Sequence, residues 1–225
     1  MPEANFIIVK NTLDALQQLA ATHRKKFDIP VIGVTGSNGK TTVKEWLYQL
    51  LQPDYNTVRS PRSYNSQIGV PLSVWQIGSK TEMAIFEAGI SQPDEMIHLE
   101  EIIKPTLGLI TNIGEAHQEG FQTIQQKCIE KLTLLKACDC IIYDGDNELI
   151  CECVEKLCFG CREIAWSRKD RDKPLYISKI IKGNDSTKIE YTYLQYHSYI
   201  TIPFVEDASI ENALNCLAAC LYLMT

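Results

Sequence analysis

The sequence predicts an α/β fold: a mostly parallel sheet of the P-loop type with helices on both faces, plus a small antiparallel β region near the C-terminal end. Three observations carry this expectation. Short apolar runs alternate with helix-periodic segments through the first two-thirds of the 225 residues, the pattern of repeated βα units. One run is joined to the following helix by the small-residue turn Gly36-Ser37-Asn38-Gly39. After about Trp166 the texture changes to alternating β-branched and aromatic residues.

Taken in order, Leu13, Leu16, Leu19 and Ala20 mark an amphipathic helix, and Val31–Val34 a buried strand. Val43, Trp46, Leu47, Leu50 and Leu51 recur at helical spacing after the turn. MAIFEAG reads as a strand, PDEMIHLEEII as a helix opened by Pro93, and TLGLITNI as the next strand. Phe121 to Leu135 reads as a helix, CDCIIYD as a strand, and Asn147 to Cys158 as a helix. LYISKIIKGNDSTKIEYTYLQYHSYITI alternates at Ile189, Tyr191 and Tyr193 around a Gly-Asn-Asp turn. It predicts antiparallel hairpins forming a small second sheet on the same domain. Ile210, Ala213, Leu214, Leu217, Ala218 and Leu221 then share one face of a last helix.

Bulk properties exclude several classes. Lys and Arg total 22 against 28 acidic residues, a net charge of −6 with no basic block. That argues against nucleic acid as a partner. No run of 18 apolar residues exists, and MPEANFIIVK lacks a signal-peptide layout, so the chain does not read as a membrane protein. Nine cysteines, an odd number in a chain of ordinary size, read as reduced thiols of a cytoplasmic protein.

A strand, then Gly36-Ser37-Asn38-Gly39-Lys40-Thr41-Thr42, then a helix is a phosphate site with a clear mechanism. Glycines let backbone N–H groups approach phosphates, and the helix N-terminus adds partial positive charge. Lys40 would neutralise the β- and γ-phosphates, and the Thr41 hydroxyl would ligate Mg²⁺. The usual Gly-x-x-x-x-Gly-Lys-[Ser/Thr] pattern has a first glycine where this chain has Val34. Further along, Glu87 closes a strand at its C-terminal end, where ligands bind in open α/β sheets. His117 lies just beyond the next strand. Lys131 lies in the helix after that, one position before the apolar Leu132. RSPRSYNSQIGVP, from Arg59 to Pro71, reads as a polar loop ending in a tight apolar turn.

In this order the motifs resemble the Mur ligase family, the ATP-dependent amide-bond ligases of peptidoglycan synthesis. The family's T-G-[ST]-N-G-K-[ST] loop is reproduced by Thr35 to Thr41, which accounts for the missing first glycine. The I-G-V-P loop, the E-A-G strand end and the A-H-x-E-G-F loop are most similar to the members that add D-Ala-D-Ala. The resemblance therefore implies the substrates UDP-MurNAc-tripeptide, D-Ala-D-Ala and ATP, with an acyl phosphate between them. It also implies that residues 29–225 are the central ATP-binding domain, preceded in 1–28 by a linker and helix from another domain. The UDP-sugar domain and the C-terminal domain would be absent, leaving the chain alone without ligase activity. Another ligase of the superfamily, such as folylpolyglutamate synthase, and a non-catalytic nucleotide-binding module are the alternatives.

Residue by residue, the resemblance implies that Thr41 and Glu87 hold one Mg²⁺ and His117 a second. Lys131 matches the family's carbamylated lysine, an anion that would help hold the second metal. Lys40, Glu87, His117 and Lys131 would then be the catalytic set. Asn212 matches an adenine-contacting asparagine of the family's H-N-x-x-N pattern, and Ser63, Tyr64 and Asn65 fall in its substrate loop. Two departures stand out: Glu211 replaces the histidine of H-N-x-x-N, and Ser63 and Ser66 replace asparagines of the substrate loop.

Cys151, Cys153, Cys158 and Cys161 have the form C-x-C-x₄-C-x₂-C. Structural zinc sites more often use two C-x₂₋₄-C pairs on separate turns. Helical spacing instead reads Cys158 and Cys161 as small core residues.

Overall fold

Continuous apolar runs become strands covered on both faces. In the computed structural model, which describes residues 7–114 and 120–224, strand β1 (Val31–Thr35) is buried throughout, as are β3 (Met83–Glu87) and β4 (Leu107–Ile110). Helices α1 (Thr12–Arg24), α2 (Lys40–Leu51), α4 (Glu95–Ile103), α5 (Ile124–Leu132) and α6 (Glu148–Leu157) alternate with them. Between them run α3 (Gly69–Val74) and the strands β2 (Thr57–Arg59) and β5 (Cys140–Asp144). The chain then continues through β6 (Arg162–Ser167), β7 (Leu175–Lys182), β8 (Thr187–Tyr193) and β9 (Tyr196–Ile202) to α7 (Asp207–Leu223).

The strands order as β2-β3-β1-β4-β5-β6-β7-β8-β9 in one sheet. Pairing is parallel from β2 to β7 and antiparallel across β7-β8-β9. The hairpins are therefore present, and β8 is buried at Ile189, Tyr191 and Tyr193 as their alternation predicts. They are not a second sheet: Trp166 of β6 pairs with Leu175 of β7, which attaches them to the parallel strands. Alternate strand residues feed two apolar layers. Ala84 and Phe86 pack with α1, α3, α4, α5 and α6, while Ile32, Val34 and Ile85 pack with α2 and α7.

Helix starts follow from capping side chains, which satisfy N–H groups that the first turn leaves without partners. Asn11 Oδ1 accepts from Leu13 N at 2.9 Å, and Asn147 Oδ1 from Ile150 N at 3.1 Å. Thr123 Oγ1 accepts from Gln126 N at 3.0 Å, so α5 opens at Ile124 rather than at Phe121. Helix α4 opens at Glu95 behind Asp94 in a left-handed conformation, and Pro93 stays in the turn before it.

Helix α1 is bound into the fold. Ala20 is fully buried, and Arg24 donates to Ile103 O at 2.9 Å and Phe27 O at 2.6 Å. Cys158 is not a core residue: it is exposed as the left-handed cap that ends α6, and Cys161 beyond it is half-buried. The buried stripe of α6 stops at Val154, and Leu157 is exposed. Among the described residues no helix is long and apolar enough to cross a membrane.

Candidate functional site

The turn between β1 and α2 requires glycine at two places. Gly36 has φ 135° and Gly39 φ 81°, backbone conformations that side chains disfavour. Space is short as well. A Cβ on Gly36 would lie 2.0 Å from Thr111 Oγ1, and one on Gly39 2.3 Å from Asn212 Oδ1. The end of β4 braces the loop from below. Ser37 N donates to Asn112 O at 2.8 Å, Asn38 N to Asn112 Oδ1 at 3.0 Å, and Thr111 Oγ1 to Asn38 O at 2.5 Å. With Ser37 and Asn38 turned to Asn112, the first turn of α2 still offers N–H groups to an anion. They belong to Lys40, Thr41 and Thr42, and the first backbone bond of the helix is Val43 N to Gly39 O at 2.9 Å.

Thr41 Oγ1 donates to Glu87 Oε2 at 2.8 Å, a pair brought together because β3 lies beside β1 in the sheet. Glu87 is fully buried, and its Oε1 has no hydrogen-bond partner among the described residues. Burial raises its carboxyl above the usual range, opposed by the Thr41 hydrogen bond and the fields of Lys44 and Lys40. A buried carboxylate oxygen without a partner is costly unless a cation or donor satisfies it. Lys40 Nζ folds back onto its own loop, donating to Gly36 O at 2.8 Å and Ser37 O at 3.1 Å. Burial lowers its pKa, against the pull of Glu87.

Lys131 does not reach out to water. It is 2 % exposed, and burial, with Lys40 and Lys127 nearby, pushes its amine down to about 7. Lys127, one turn earlier on α5, is fully buried and donates to Gly114 O, which also accepts from Ser37 Oγ at 3.3 Å. Lys40, Lys131 and Asn65 line one cleft of about 330 Å³ together with Gly89, Ser91 and Glu95.

The expected substrate loop borders this cleft. Ser63 Oγ lies 3.4 Å from Thr41 Oγ1, and Gly89 N donates to Asn65 O at 2.8 Å. Tyr64 is exposed, its backbone close against Gly69. Helix α3 begins at Gly69, so the apolar I-G-V-P stretch is a first helical turn, where Pro71 is tolerated. Asn212 stands on α7 against Gly39. Its neighbour Glu211 carries a carboxylate 3.7 Å from Arg168 Nη2. His117 lies outside the described residues.

Sequence reasoning missed Lys44 and Lys127. Lys44 is fully buried under residues 60–62, and the weak signal was spacing: each lies four residues from a lysine that was singled out. It also missed Thr111 and Asn112, whose role is to brace backbone.

Residues 34–220 match the family described as Mur ligase middle domain. The UDP-N-acetylmuramoyl-tripeptide–D-alanyl-D-alanine ligase of Bacillus subtilis is 30 % identical over 219 residues, covering 96 % of this chain and 46 % of that protein. The crystal structure of MurF from Acinetobacter baumannii superposes with a TM-score of 0.88 at 25 % identity, covering 97 % of this chain and 48 % of that one. MurF ligase of Thermotoga maritima, solved in complex with ADP, gives 0.86 at 23 % identity over 99 % of this chain and 52 % of that one. The chain thus spans about half the length of these relatives.

Proposed function

The chain belongs to the Mur ligase family, and from that premise we propose that it is the ATP-binding part of a cytoplasmic ligase joining D-Ala-D-Ala to UDP-MurNAc-tripeptide. The observation that carries this reading is the Thr41–Glu87 pair at the mouth of the phosphate loop, with Glu87 Oε1 buried and without a partner among the described residues. Mg²⁺ fits this donor set, because a hydroxyl and a carboxylate are the hard oxygen ligands it prefers. Thr41 donates its hydroxyl hydrogen to Glu87, which leaves a lone pair on Oγ1 to face the metal. Bound with ATP, Mg²⁺ would supply charge neutralisation at the β- and γ-phosphates.

The chain's own residues then do the positioning. Lys40 exchanges the carbonyls of Gly36 and Ser37 for phosphate oxygens, and the first turn of α2 donates its N–H groups. The loop Ser63–Asn65 presents the tripeptide carboxylate across the cleft. A carboxylate oxygen bonds to the γ-phosphorus as the bond to ADP breaks, giving an acyl phosphate. The amine of D-Ala-D-Ala attacks the acyl carbon, phosphate leaves with the bonding pair, and the nitrogen gives up its proton. Asn212, beside Gly39, is the adenine contact in this reading.

Lys131 is proposed to be carbamylated and, with His117, to hold a second Mg²⁺. Its burial and an amine pKa of about 7 support this, since an uncharged amine is the form that adds CO₂. The deciding experiment supplies the full-length ligase carrying this chain with ATP, Mg²⁺, UDP-MurNAc-tripeptide and D-Ala-D-Ala. The reading expects ADP, phosphate and one new amide, with the 225-residue chain alone binding Mg-ATP and forming none. Ligation to folate, or to another amino acid in place of the dipeptide, would move the chain to a different branch. ATP binding without any amide product would leave a nucleotide-binding module.

A further inference from the structure

Lys44 stands one turn after Lys40 on α2, yet the two ammonium groups go to different places. Lys40 reaches the phosphate loop, whereas Lys44 is fully buried and does not line the cleft. Its Nζ donates to Ser60 O at 2.8 Å and to Arg62 O, and is paired with Glu45 Oε1 at 3.1 Å. Glu45 Oε2 in turn accepts from Arg59 Nε at 2.9 Å, and that guanidinium lies 3.6 Å over the Tyr48 ring. Every group in this chain of contacts grips the segment from Arg59 to Arg62.

The segment needs a grip. Arg62 has φ 48°, a left-handed conformation that costs energy for any residue with a Cβ. The residue after it is Ser63, whose hydroxyl stands 3.4 Å from Thr41 Oγ1. The residue before it in the grip is Ser60, whose Oγ accepts from Glu87 N at 3.3 Å. The two carbonyls held by Lys44 therefore flank the contacts that set the loop against the Thr41–Glu87 pair.

We propose that Lys44 is a positioning residue: its ammonium cross-links the Ser60 and Arg62 carbonyls, holds Arg62 left-handed, and so fixes the loop from Ser63 to Asn65, whose Asn65 lines the cleft. It acts on the carboxylate substrate and leaves nucleotide binding to Lys40 and the α2 N-terminus. The kinetic part of this rests on the ligase reading above; the conformational part does not.

The test uses Lys44→Met, which keeps the stem and removes the ammonium. In the full-length ligase, at a temperature where the variant is folded, KM for UDP-MurNAc-tripeptide should rise about tenfold while KM for ATP stays within about twofold. Glycine takes a left-handed conformation freely. Adding Arg62→Gly to Lys44→Met should therefore recover part of that loss, relative to Arg62→Gly alone. A lysine that merely stabilised the fold would lower the melting temperature and leave the KM ratio unchanged, and that result would overturn the proposal. Amide hydrogen exchange on the 225-residue chain gives an independent reading. Lys44→Met should speed exchange at Ser60, Tyr64, Asn65 and Gly89 and spare β1. Uniform acceleration, or none, would also overturn it. If wild-type ligase forms no amide, the ligase reading fails while the exchange result still decides the role of Lys44.

Discussion

Replacing Lys131 by methionine should make the protein more stable at neutral pH, and by an amount that depends on pH. The side chain is 2 % exposed, and its amine is pushed from 10.5 down to about 7, chiefly by burial. Below pH 7 the amine is charged in both states, and the folded chain carries the full cost of a buried charge. As pH rises through 7 the folded lysine loses its proton while the unfolded one keeps it to about 10.5. The unfolded state then binds more protons, so stability rises with pH across that window. At 1.36 kcal/mol per unit, the gain between pH 7 and pH 9 is about 2 kcal/mol. Lys131→Met lacks this term, so it should be more stable than wild type by about 2–4 kcal/mol at pH 7, with the advantage shrinking by about 2 kcal/mol at pH 9. Thiols such as Cys128 and Cys216, which burial pushes up, titrate in the opposite sense. Cys216 has no charge coupling to Lys131 and cancels in the difference, while Cys128, whose thiol Lys131 pulls down, is held high by burial and stays protonated across this window. The assay is reversible urea unfolding of both chains at pH 7, 8 and 9 in buffers freed of CO₂. Parallel stability–pH curves would refute the argument, because they would mean the amine is hydrated or paired in the folded state.

Three further outcomes follow from the site. Glu87→Gln should weaken Mg-ATP binding by about tenfold, ~1.4 kcal/mol, and change binding of metal-free ATP much less; calorimetry with and without Mg²⁺ separates the two. Gly39→Ala places a methyl 2.3 Å from Asn212 Oδ1 at a φ of 81°. It should cost about 1–3 kcal/mol and abolish nucleotide binding, measured by urea unfolding and by fluorescent-nucleotide titration. Among the nine cysteines, exposed Cys158 should react first with an aromatic disulfide reagent, and the fully buried Cys128 and Cys140 among the last, read by mass spectrometry of the labelled peptides.

The sequence by itself determined the alternation of strands and helices, the phosphate loop, and the strand-end position of Glu87. These are local: side-chain periodicity reports the geometry of a single element, and Gly36 and Gly39 answer to their own backbone angles. It also determined the alternation in β8, because one face of that strand is buried wherever the hairpin docks. The tertiary structure decided the rest. Whether the hairpins form their own sheet depended on Trp166 pairing with Leu175, a match between edges that neither segment encodes alone. Strand β2 is three residues held by β3, and α3 begins at a glycine, too short for periodicity to reveal. The burial of Lys44 and Lys131 ran against their residue type, and only packing from other elements could remove them from water. Asn212 meets Gly39, and Glu87 meets Thr41, across long stretches of chain. Their contacts exist because β3 and β4 flank β1 and α7 lies over the same face as α2, an arrangement fixed by burial of the whole sheet rather than by any one segment.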